Sequence, residues 1–246
     1  MRNYEFDRIK RIVDEAENVV FFGGAGVSTE SGIPDFRGSS GLYTGAEGDV
    51  SPEEILHVKY FIEHPEKFYE YYKSNMLYPN ARPNPAHYAL ARLEEQGKLS
   101  GVITQNIDGL HQAAGSKNVL ELHGTVARAF CDRCGRAYAP DAINDVSDIP
   151  RCTCGGVIRP DVTLYGEALP SDAFSAAAEH IEKADVLIAA GSSLTVYPAA
   201  SLVADFRGEH LIIINYSPTP YDGFAEYVIR ESVVDVFAEL VKGKTL

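Results

Sequence analysis

Short apolar runs alternate with segments of helical periodicity along much of the chain. The apolar runs predict strands at residues 19–23, 101–105, 119–122, 161–165, 186–191 and 210–215. Helical periodicity is found at residues 6–17, 171–183 and 198–206. The later apolar runs are continuous, as is typical of strands buried on both faces of a parallel sheet. The pattern therefore predicts an α/β fold with a mostly parallel sheet and helices on both faces.

Two stretches interrupt this alternation. Residues 51–78 open with a capping box that has proline at the first helical position, and they continue as an aromatic-rich sequence of helical period. We expect a helical insertion lobe over residues 39–83. Residues 124–160 show little periodicity and are too short for a core of their own. The sequence predicts a single domain over residues 1–246 that contains these two sub-modules.

Composition narrows the class of protein. With 246 residues and 45% hydrophobic positions, the chain can bury a sizeable core. It has no apolar run of about 18 residues, and its start reads as an amphipathic helix rather than a signal peptide. We therefore expect a cytoplasmic protein with no membrane partner. A formal net charge of −13 disfavours direct nucleic-acid binding and suits a basic partner such as a lysine-rich peptide, although solubility explains the acidity equally well.

The glycine-rich stretch GGAGVSTESGIPDFRG, residues 23–38, follows the first predicted strand. Gly24, Ala25 and Gly26 would let the backbone turn tightly and approach a phosphate, as in Rossmann-like proteins, although an ordinary turn is the alternative. A hydride-transferring Rossmann protein would reach a second strand and a ribose-binding acid about 20 residues later. This chain instead continues with Pro34-Asp35-Phe36-Arg37, which disfavours a dehydrogenase.

Polar segments follow three more predicted strands, at the edge where open α/β sheets bind ligands. Asn106 and Asp108, in TQNIDGLH, can orient an amide or a ribose hydroxyl, and an Asx turn is the alternative. Among the seven histidines, His123 in LELHGT is the best candidate for a general base. The turn GSSLTVYPAA begins at Gly191 and suits a phosphate or a ribose.

Four cysteines are confined to the second sub-module, as Cys131-x-x-Cys134 and Cys152-x-Cys154. Four thiolates on two tight turns favour tetrahedral zinc in a closed, structural site. Such an ion would stabilise a segment that cannot bury enough apolar surface alone. An iron–sulfur cluster and a redox dithiol are the alternatives. Together with the helical insertion, this module is predicted to form a small lobe beside the main sheet.

In combination, these stretches resemble the sirtuin family of NAD-dependent protein lysine deacylases, in its bacterial or archaeal single-domain form. The matching segments span residue 23 to about residue 220, and they are GAGVSTESGIPDFRG, TQNIDGLHQAAGS, ELHGT, the paired cysteines, RPDVTLYGE, GSSLTVYPAA and IIINYSPTP. The resemblance implies that NAD is a co-substrate whose nicotinamide–ribose bond is broken. It also implies a mobile lid after the glycines, a protein or peptide acyl-lysine substrate, and nicotinamide as product and inhibitor.

The resemblance implies roles for individual residues. NAD would be contacted by Gly24, Ala25, Gly26, Thr29, Phe36, Arg37, Gln105, Asn106, Ile107, Asp108, His123, Gly191, Ser192, Ser193, Asn215 and Tyr216. His123 would act as the general base, and Asn106 would hold the ribose hydroxyls and a water. The peptide would pair with the segment that contains Val162, Thr163, Tyr165 and Gly166. Cys131, Cys134, Cys152 and Cys154 would hold one structural zinc per chain.

The acyl group is also constrained by the resemblance. Family members that remove succinyl or malonyl groups carry a Tyr-x-x-Arg pair on the helical lobe, and here Tyr69 and Tyr72 occupy those positions. Without the arginine we expect neutral acyl groups to be preferred. Mono-ADP-ribosyl transfer is the alternative activity, because it shares the first bond cleavage. A purely NAD-sensing module is disfavoured by the joint presence of Asn106, Asp108 and His123.

Overall fold

A six-stranded parallel sheet forms the centre of the computed structural model, which describes residues 3–36, 41, 50–145 and 147–242. The strands in the described ranges are β1 Val19–Gly23, β2 Leu99–Thr104, β3 Val119–Glu121, β4 Gly124–Cys131, β5 Ala137–Tyr138, β6 Ile158–Val162, β7 Val186–Ala190, β8 His210–Ile214 and β9 Tyr227–Ile229. The main sheet has the order β3-β2-β1-β7-β8-β9, and every neighbouring pair is parallel. This is the Rossmann order, with its switch point between β1 and β7.

Helices cover both faces of this sheet, as the sequence predicts. The helices in the described ranges are α1 Asn3–Glu15, α2 Pro52–Ile55, α3 Val58–Glu63, α4 Pro65–Asn75, α5 Pro85–Glu95, α6 Leu110–Ala113, α7 Asp141–Asn144, α8 Ser171–Lys183, α9 Ser201–Ala204 and α10 Val233–Leu240. Alternate residues of β1 enter two different clusters, because successive side chains of a strand point to opposite faces. Phe21 packs in the cluster formed with α1, α5 and α10, whereas Phe22 packs in the cluster formed with α8 and α9.

The second structural unit is a small lobe made of the antiparallel sheet β5-β4-β6 with helices α2–α4 and α7. The helical segment and the cysteine-containing segment share a single apolar cluster. Phe61, Phe68 and Tyr72 from the helices pack there with Ile143 and Ile158 from the cysteine-containing segment. Each segment therefore supplies the buried surface that the other lacks.

Several predicted elements differ from the observed ones. The apolar run at 161–165 does not form a strand of the main sheet; β6 pairs with β4 in the small antiparallel sheet and ends at Val162. The residues after it instead face the small-lobe core and the cleft described below, and Gly166, with a φ of 87°, helps to close a turn. Periodicity at 198–206 predicts a longer helix than α9, and β4 and β9 are not predicted. Within the described residues, no helix has the length and apolar character needed to cross a membrane.

Candidate active site

A cleft of about 1380 Å³ separates the carboxyl edge of the main sheet from the small lobe. One wall consists of the segments that follow β1, β2, β3, β7 and β8. The opposite wall includes Leu56, Met76, Val126 and residues 162–167. The cleft lies at the switch point of the strand order, where open α/β sheets bind ligands.

Nearly all the predicted binding residues line this cleft. They are Gly24, Ala25, Gly26, Thr29, Phe36, Gln105, Asn106, Ile107, Asp108, His123, Val162, Thr163, Tyr165, Gly166, Gly191, Ser192, Ser193, Asn215 and Tyr216. Arg37 and most of the predicted lid lie outside the described residues. The four cysteines form a separate group in the small lobe. Residues from five strand ends are thus adjacent in space although they are far apart in sequence.

The glycine loop packs directly against the turn that follows β7. The Gly26 amide donates to the Gly191 carbonyl at 2.8 Å, and a Cβ on Gly26 would lie 2.7 Å from the Gly191 Cα. Gly191 has a φ of 60°, and a Cβ there would lie 2.6 Å from the Val27 nitrogen. The sequence interpretation credits the glycines with approach to a phosphate. The structure adds a second reason, because the two turns can meet only where both lack side chains.

A buried serine links the two polar residues of the loop that follows β2, residues 105–109, which we call the β2 loop. The Ser28 hydroxyl donates to Asp108 Oδ2 at 2.7 Å and accepts from Asn106 Nδ2 at 3.1 Å. Asp108 Oδ1 also accepts from the Leu110 amide at 2.9 Å, which forms an Asx turn just before α6. Ser28 is 1% exposed. Local sequence patterns do not indicate its linking position, because the contact joins residues 80 positions apart in the chain.

Gln105, at the start of the same loop, connects two strand ends. Gln105 Nε2 donates to the Ser192 hydroxyl at 2.9 Å, so the β2 loop and the β7 turn are bonded to one another. The Ser192 hydroxyl in turn accepts from the Leu194 amide at 3.2 Å. These bonds fix the relative positions of the loops on either side of the switch point.

His123 is oriented by its main-chain neighbours. Its Nδ1 lies 2.9 Å from the Gln105 carbonyl oxygen. Because a carbonyl can only accept a hydrogen bond, Nδ1 carries the proton and Nε2 keeps its lone pair. Burial lowers the pKa of His123 below its ordinary value, and the bond to the Gln105 carbonyl opposes this only in part. The imidazole is therefore neutral at neutral pH and able to accept a proton at Nε2.

Two further histidines form a buried pair behind Asp108. The rings of His87 and His111 are 4.7 Å apart, and burial lowers the pKa of each. Asn84 holds this region in place: its own amide donates to His87 Nδ1 at 3.3 Å, and its side chain donates to the Val27 carbonyl at 2.7 Å. Neither ring lines the cleft, and both are buried, so we interpret them as structural.

The four cysteines converge as a metal site would require. Their sulfurs all lie within 4.8 Å of one another, with Cys131–Cys154 at 3.5 Å and Cys134–Cys152 at 3.7 Å. Four sulfurs placed tetrahedrally at about 2.3 Å from zinc are about 3.8 Å apart, so the donor set fits this ion. A set of four thiolates leaves no open position, which indicates a structural rather than a catalytic metal.

The aromatic residues of α4 do not face the cleft. The Tyr69 hydroxyl donates to the Ile158 carbonyl at 2.7 Å, and Tyr72 stacks on Phe68 with 1% of its surface exposed. Burial raises the pKa of both tyrosines above the ordinary value. Helix α4 and its C-terminal end contribute Asn75 and Met76 to the lining instead. Among the residues that the structure describes, no lysine or arginine lines the cleft.

The fold and the cleft define an α/β protein of Rossmann topology with a cysteine-containing small lobe, and comparison with known proteins identifies the family. The Sir2 family model matches residues 24–198. The NAD-dependent protein deacetylase of Clostridium tetani is 49% identical over 237 residues, which cover 95% of this chain and 96% of the relative. The chain belongs to the Sir2 family.

Solved structures give the same result. A complex of Sir2 with a p53 peptide and NAD+ superposes with a TM-score of 0.86 at 39% identity, covering 96% of this chain and 97% of the other. A Sir2 protein bound to a propionylated peptide superposes with a TM-score of 0.85 at 40% identity, covering 98% of each chain. The resemblance and the fold class inferred from the sequence are therefore confirmed.

Proposed function

We propose that this protein is an NAD-dependent protein lysine deacetylase that yields lysine, nicotinamide and O-acyl-ADP-ribose. Its relatives carry the name of this activity, and one structural neighbour is a complex of Sir2 with a peptide and NAD+. The observation that carries the proposal is the state of His123. A neutral imidazole, oriented by the Gln105 carbonyl, stands in the same cleft as the Asn106–Ser28–Asp108 group. A module that only bound NAD would not require a base there.

NAD would occupy the wall formed by the main sheet. The adenosine half would lie against Gly191, Ser192, Ser193, Asn215 and Tyr216, and the phosphates against the glycine loop with Thr29. The nicotinamide ribose would contact Gln105 and Asn106, and the carboxamide would contact Ile107 and Asp108. Since Asp108 already holds the Leu110 amide and the Ser28 hydroxyl, its carboxylate is fixed before any ligand arrives.

The chemistry places few demands on protein side chains. NAD supplies the anomeric carbon, which the acyl oxygen attacks as nicotinamide leaves. Phe36 lines the cleft beside the glycine loop and would shield this carbon from water, which matters for a cationic transition state. Asn106 would hold the ribose hydroxyls, and His123 Nε2 would accept a proton through them as the 2′-oxygen attacks the imidate carbon. Water would then complete the reaction, releasing lysine and leaving the acyl group on ADP-ribose.

The peptide would bind along residues 162–166 on the opposite wall. The amides of Thr163 and Tyr165 are already bonded to the carbonyls of His123 and Leu56. We therefore expect the peptide to donate mainly to carbonyl oxygens of this segment, each of which can accept more than one hydrogen bond. Val162, Thr163, Tyr165 and Gly166 would form the contact surface, with tyrosine where the family usually has phenylalanine.

The acyl group should be neutral. Tyr69 and Tyr72 are engaged in the core of the small lobe, and the described lining contains no cation that could pair with a distal carboxylate. A carboxylate buried without such a partner is strongly disfavoured. The propionylated peptide bound by a related Sir2 protein is consistent with a tunnel for short uncharged chains.

Nicotinamide release tests the proposal. The rate should depend strictly on an acetyl-lysine peptide, and the unacetylated peptide is the matched control. Release that is equally fast without an acyl-lysine would contradict the proposal. Mono-ADP-ribosyl transfer, the alternative, would release nicotinamide while adding ADP-ribose to the peptide.

A further inference from the structure

An ion pair lies directly behind the turn that we assign to the peptide. Arg159 on β6 donates through Nη1 and Nη2 to the two carboxylate oxygens of Glu167, at 2.6 and 2.8 Å. Nη2 also donates to the Val162 carbonyl at 3.1 Å. The Arg159 side chain is 10% exposed and that of Glu167 is 25% exposed. This bidentate pair therefore connects the two ends of the peptide segment, because it contacts Val162, the first residue of the segment, and includes Glu167, which follows the last residue.

Glu167 also bonds to the turn itself. Its Oε2 accepts from the Leu164 amide at 2.8 Å, while its own amide donates to the Leu164 carbonyl at 3.0 Å. Gly166, between them, has a φ of 87°, and a Cβ there would lie 2.8 Å from the His57 ring. The turn is therefore closed by a main-chain bond and by a side-chain bond, and it is packed against α3 through its cap residue.

The Arg159 guanidinium also makes cation–π contacts with two aromatic rings. Its guanidinium lies 5.1 Å from the centre of the Phe61 ring and 5.6 Å from that of Phe130. One ring belongs to the helical segment of the small lobe and the other to β4. Burial raises the pKa of Glu167, but the bonds from Arg159 and from the Leu164 amide outweigh it, so the net shift is downward. The Glu167 carboxylate is thus charged at neutral pH, and either partner would be costly to bury without the other.

We propose that Arg159 and Glu167 are positioning residues for the acyl-lysine peptide. The inference rests on the proposed function, because it concerns the peptide segment of that same site. The pair acts through the backbone of Val162 and Leu164, and it holds the carbonyls and side chains of residues 162–166 in line along the cleft. It also fixes this wall relative to His123, whose carbonyl accepts from the Thr163 amide.

This role predicts an effect confined to one substrate. Among the residues that the structure describes, the glycine loop, the β2 loop and the β7 turn are bonded to one another and have no hydrogen bond to the pair. Loosening the 162–167 turn should therefore weaken peptide binding while NAD and ADP-ribose bind as before. A residue that served only general stability would lower the melting temperature and affect both ligands alike.

Two conservative variants test the proposal. Glu167→Gln keeps the shape of the side chain but removes its charge, and Arg159→Lys keeps the charge but loses the bidentate geometry. The matched control is Asp161→Asn, which removes the charge from the more exposed Arg128–Asp161 bond between β4 and β6, at 2.8 Å and away from the cleft. Peptide KM, kcat, ADP-ribose Kd and melting temperature are measured for each.

We expect each test variant to raise the peptide KM about tenfold, the loss that follows from one charged hydrogen bond, with kcat and ADP-ribose Kd within about threefold. The control should leave all of them unchanged. An unaltered peptide KM in folded variants, an equal loss of ADP-ribose affinity, or failure of both variants to fold would overturn the proposal. Absence of deacetylation by the unaltered protein would instead refute the proposed function, and acetyl-lysine peptide affinity measured by fluorescence anisotropy would still decide the positioning role.

Discussion

The two lobes reach a folded state by different physical means. All five residues of β1 and all five of β7 are buried, and both faces of the main sheet are covered by apolar helix surfaces. The small lobe has one three-stranded sheet, a single apolar cluster, four converging thiolates and a partly buried Arg–Glu pair. The main sheet is thus stabilised chiefly by hydrophobic burial, whereas the small lobe also depends on polar and metal-binding groups.

This contrast corresponds to a division of the cleft. The wall that we assign to NAD consists of loops attached to the rigid sheet and bonded to one another. The wall that we assign to the peptide belongs mostly to the small lobe, where the 162–167 turn is held by an ion pair. Perturbations of the small lobe should therefore affect the peptide first, and those of the sheet edge should affect NAD or the chemistry.

Zinc removal should produce the largest difference in behaviour between the two lobes. We expect one zinc per chain by elemental analysis, and its loss on chelation or in Cys131→Ala should abolish deacetylation, because zinc affinity at such sites, about 10 kcal/mol or more, is folding free energy. Hydrogen exchange should rise over β4–β6 while β1 and β7 keep their protection. A protein without zinc would contradict this difference between the lobes. Equal protection of both lobes from hydrogen exchange after zinc removal would contradict it as well.

Replacing the base should affect chemistry without affecting either lobe. His123→Ala should lower kcat by roughly 10²–10⁴-fold, the usual loss for a positioned general base. NAD affinity and melting temperature should stay close to those of the unaltered protein, and replacement of the exposed His64 by asparagine is the matched control. Deacetylation at an undiminished rate would exclude the assigned role.

Acid should destabilise the main-sheet region through its buried histidines. Burial lowers the pKa of His87 and His111, so the folded state holds fewer protons than the unfolded state below the ordinary histidine pKa of about 6.5. Their contribution is complete above that pH and is lost as the pH falls toward the folded pKa values. Between pH 7 and pH 5 the free energy of unfolding should decrease by about 2 kcal/mol for each histidine that stays neutral.

Urea titrations at the two pH values measure this decrease. His111→Leu should flatten the dependence on pH, whereas His64→Asn should leave it unchanged. A slope that is the same in His111→Leu as in the unaltered protein would show that the buried pair does not cause the acid sensitivity.

The Asp108 carboxylate in the β2 loop should report on nicotinamide alone. Asp108→Asn keeps the size of the side chain but removes the charge that accepts from Ser28 and Leu110. Nicotinamide inhibition should weaken by about tenfold, the effect of one charged hydrogen bond, while ADP-ribose affinity changes little. Equal losses for both ligands would place Asp108 elsewhere in the site.

The acyl group tests the peptide side of the cleft. Catalytic efficiency on an acetyl-lysine peptide should exceed that on the matched succinyl-lysine peptide by at least about tenfold, or roughly 1.4 kcal/mol. The values of kcat/KM are compared at saturating NAD. Equal efficiency would mean that a cation outside the described lining reaches the acyl tip.

Local sequence patterns predict much of this site because each residue follows a strand directly. Gly24, Asn106 and His123 occur just after β1, β2 and β3, and a parallel sheet brings such ends to one edge. The same patterns could not show Ser28 between Asn106 and Asp108, because that contact depends on how two distant loops meet. Nor could these patterns assign the apolar run at 161–165 to the correct sheet. Its position beside β4 and the cleft is determined by tertiary packing.

The stoichiometry of the reaction distinguishes deacetylation from ADP-ribosyl transfer in one measurement. An acetyl-lysine peptide is incubated with the protein and NAD, and nicotinamide and peptide products are quantified together by mass spectrometry. We expect one nicotinamide for each lysine freed of its acetyl group, with both products lost in His123→Ala. Nicotinamide released while the peptide keeps its acetyl group or gains ADP-ribose would contradict it.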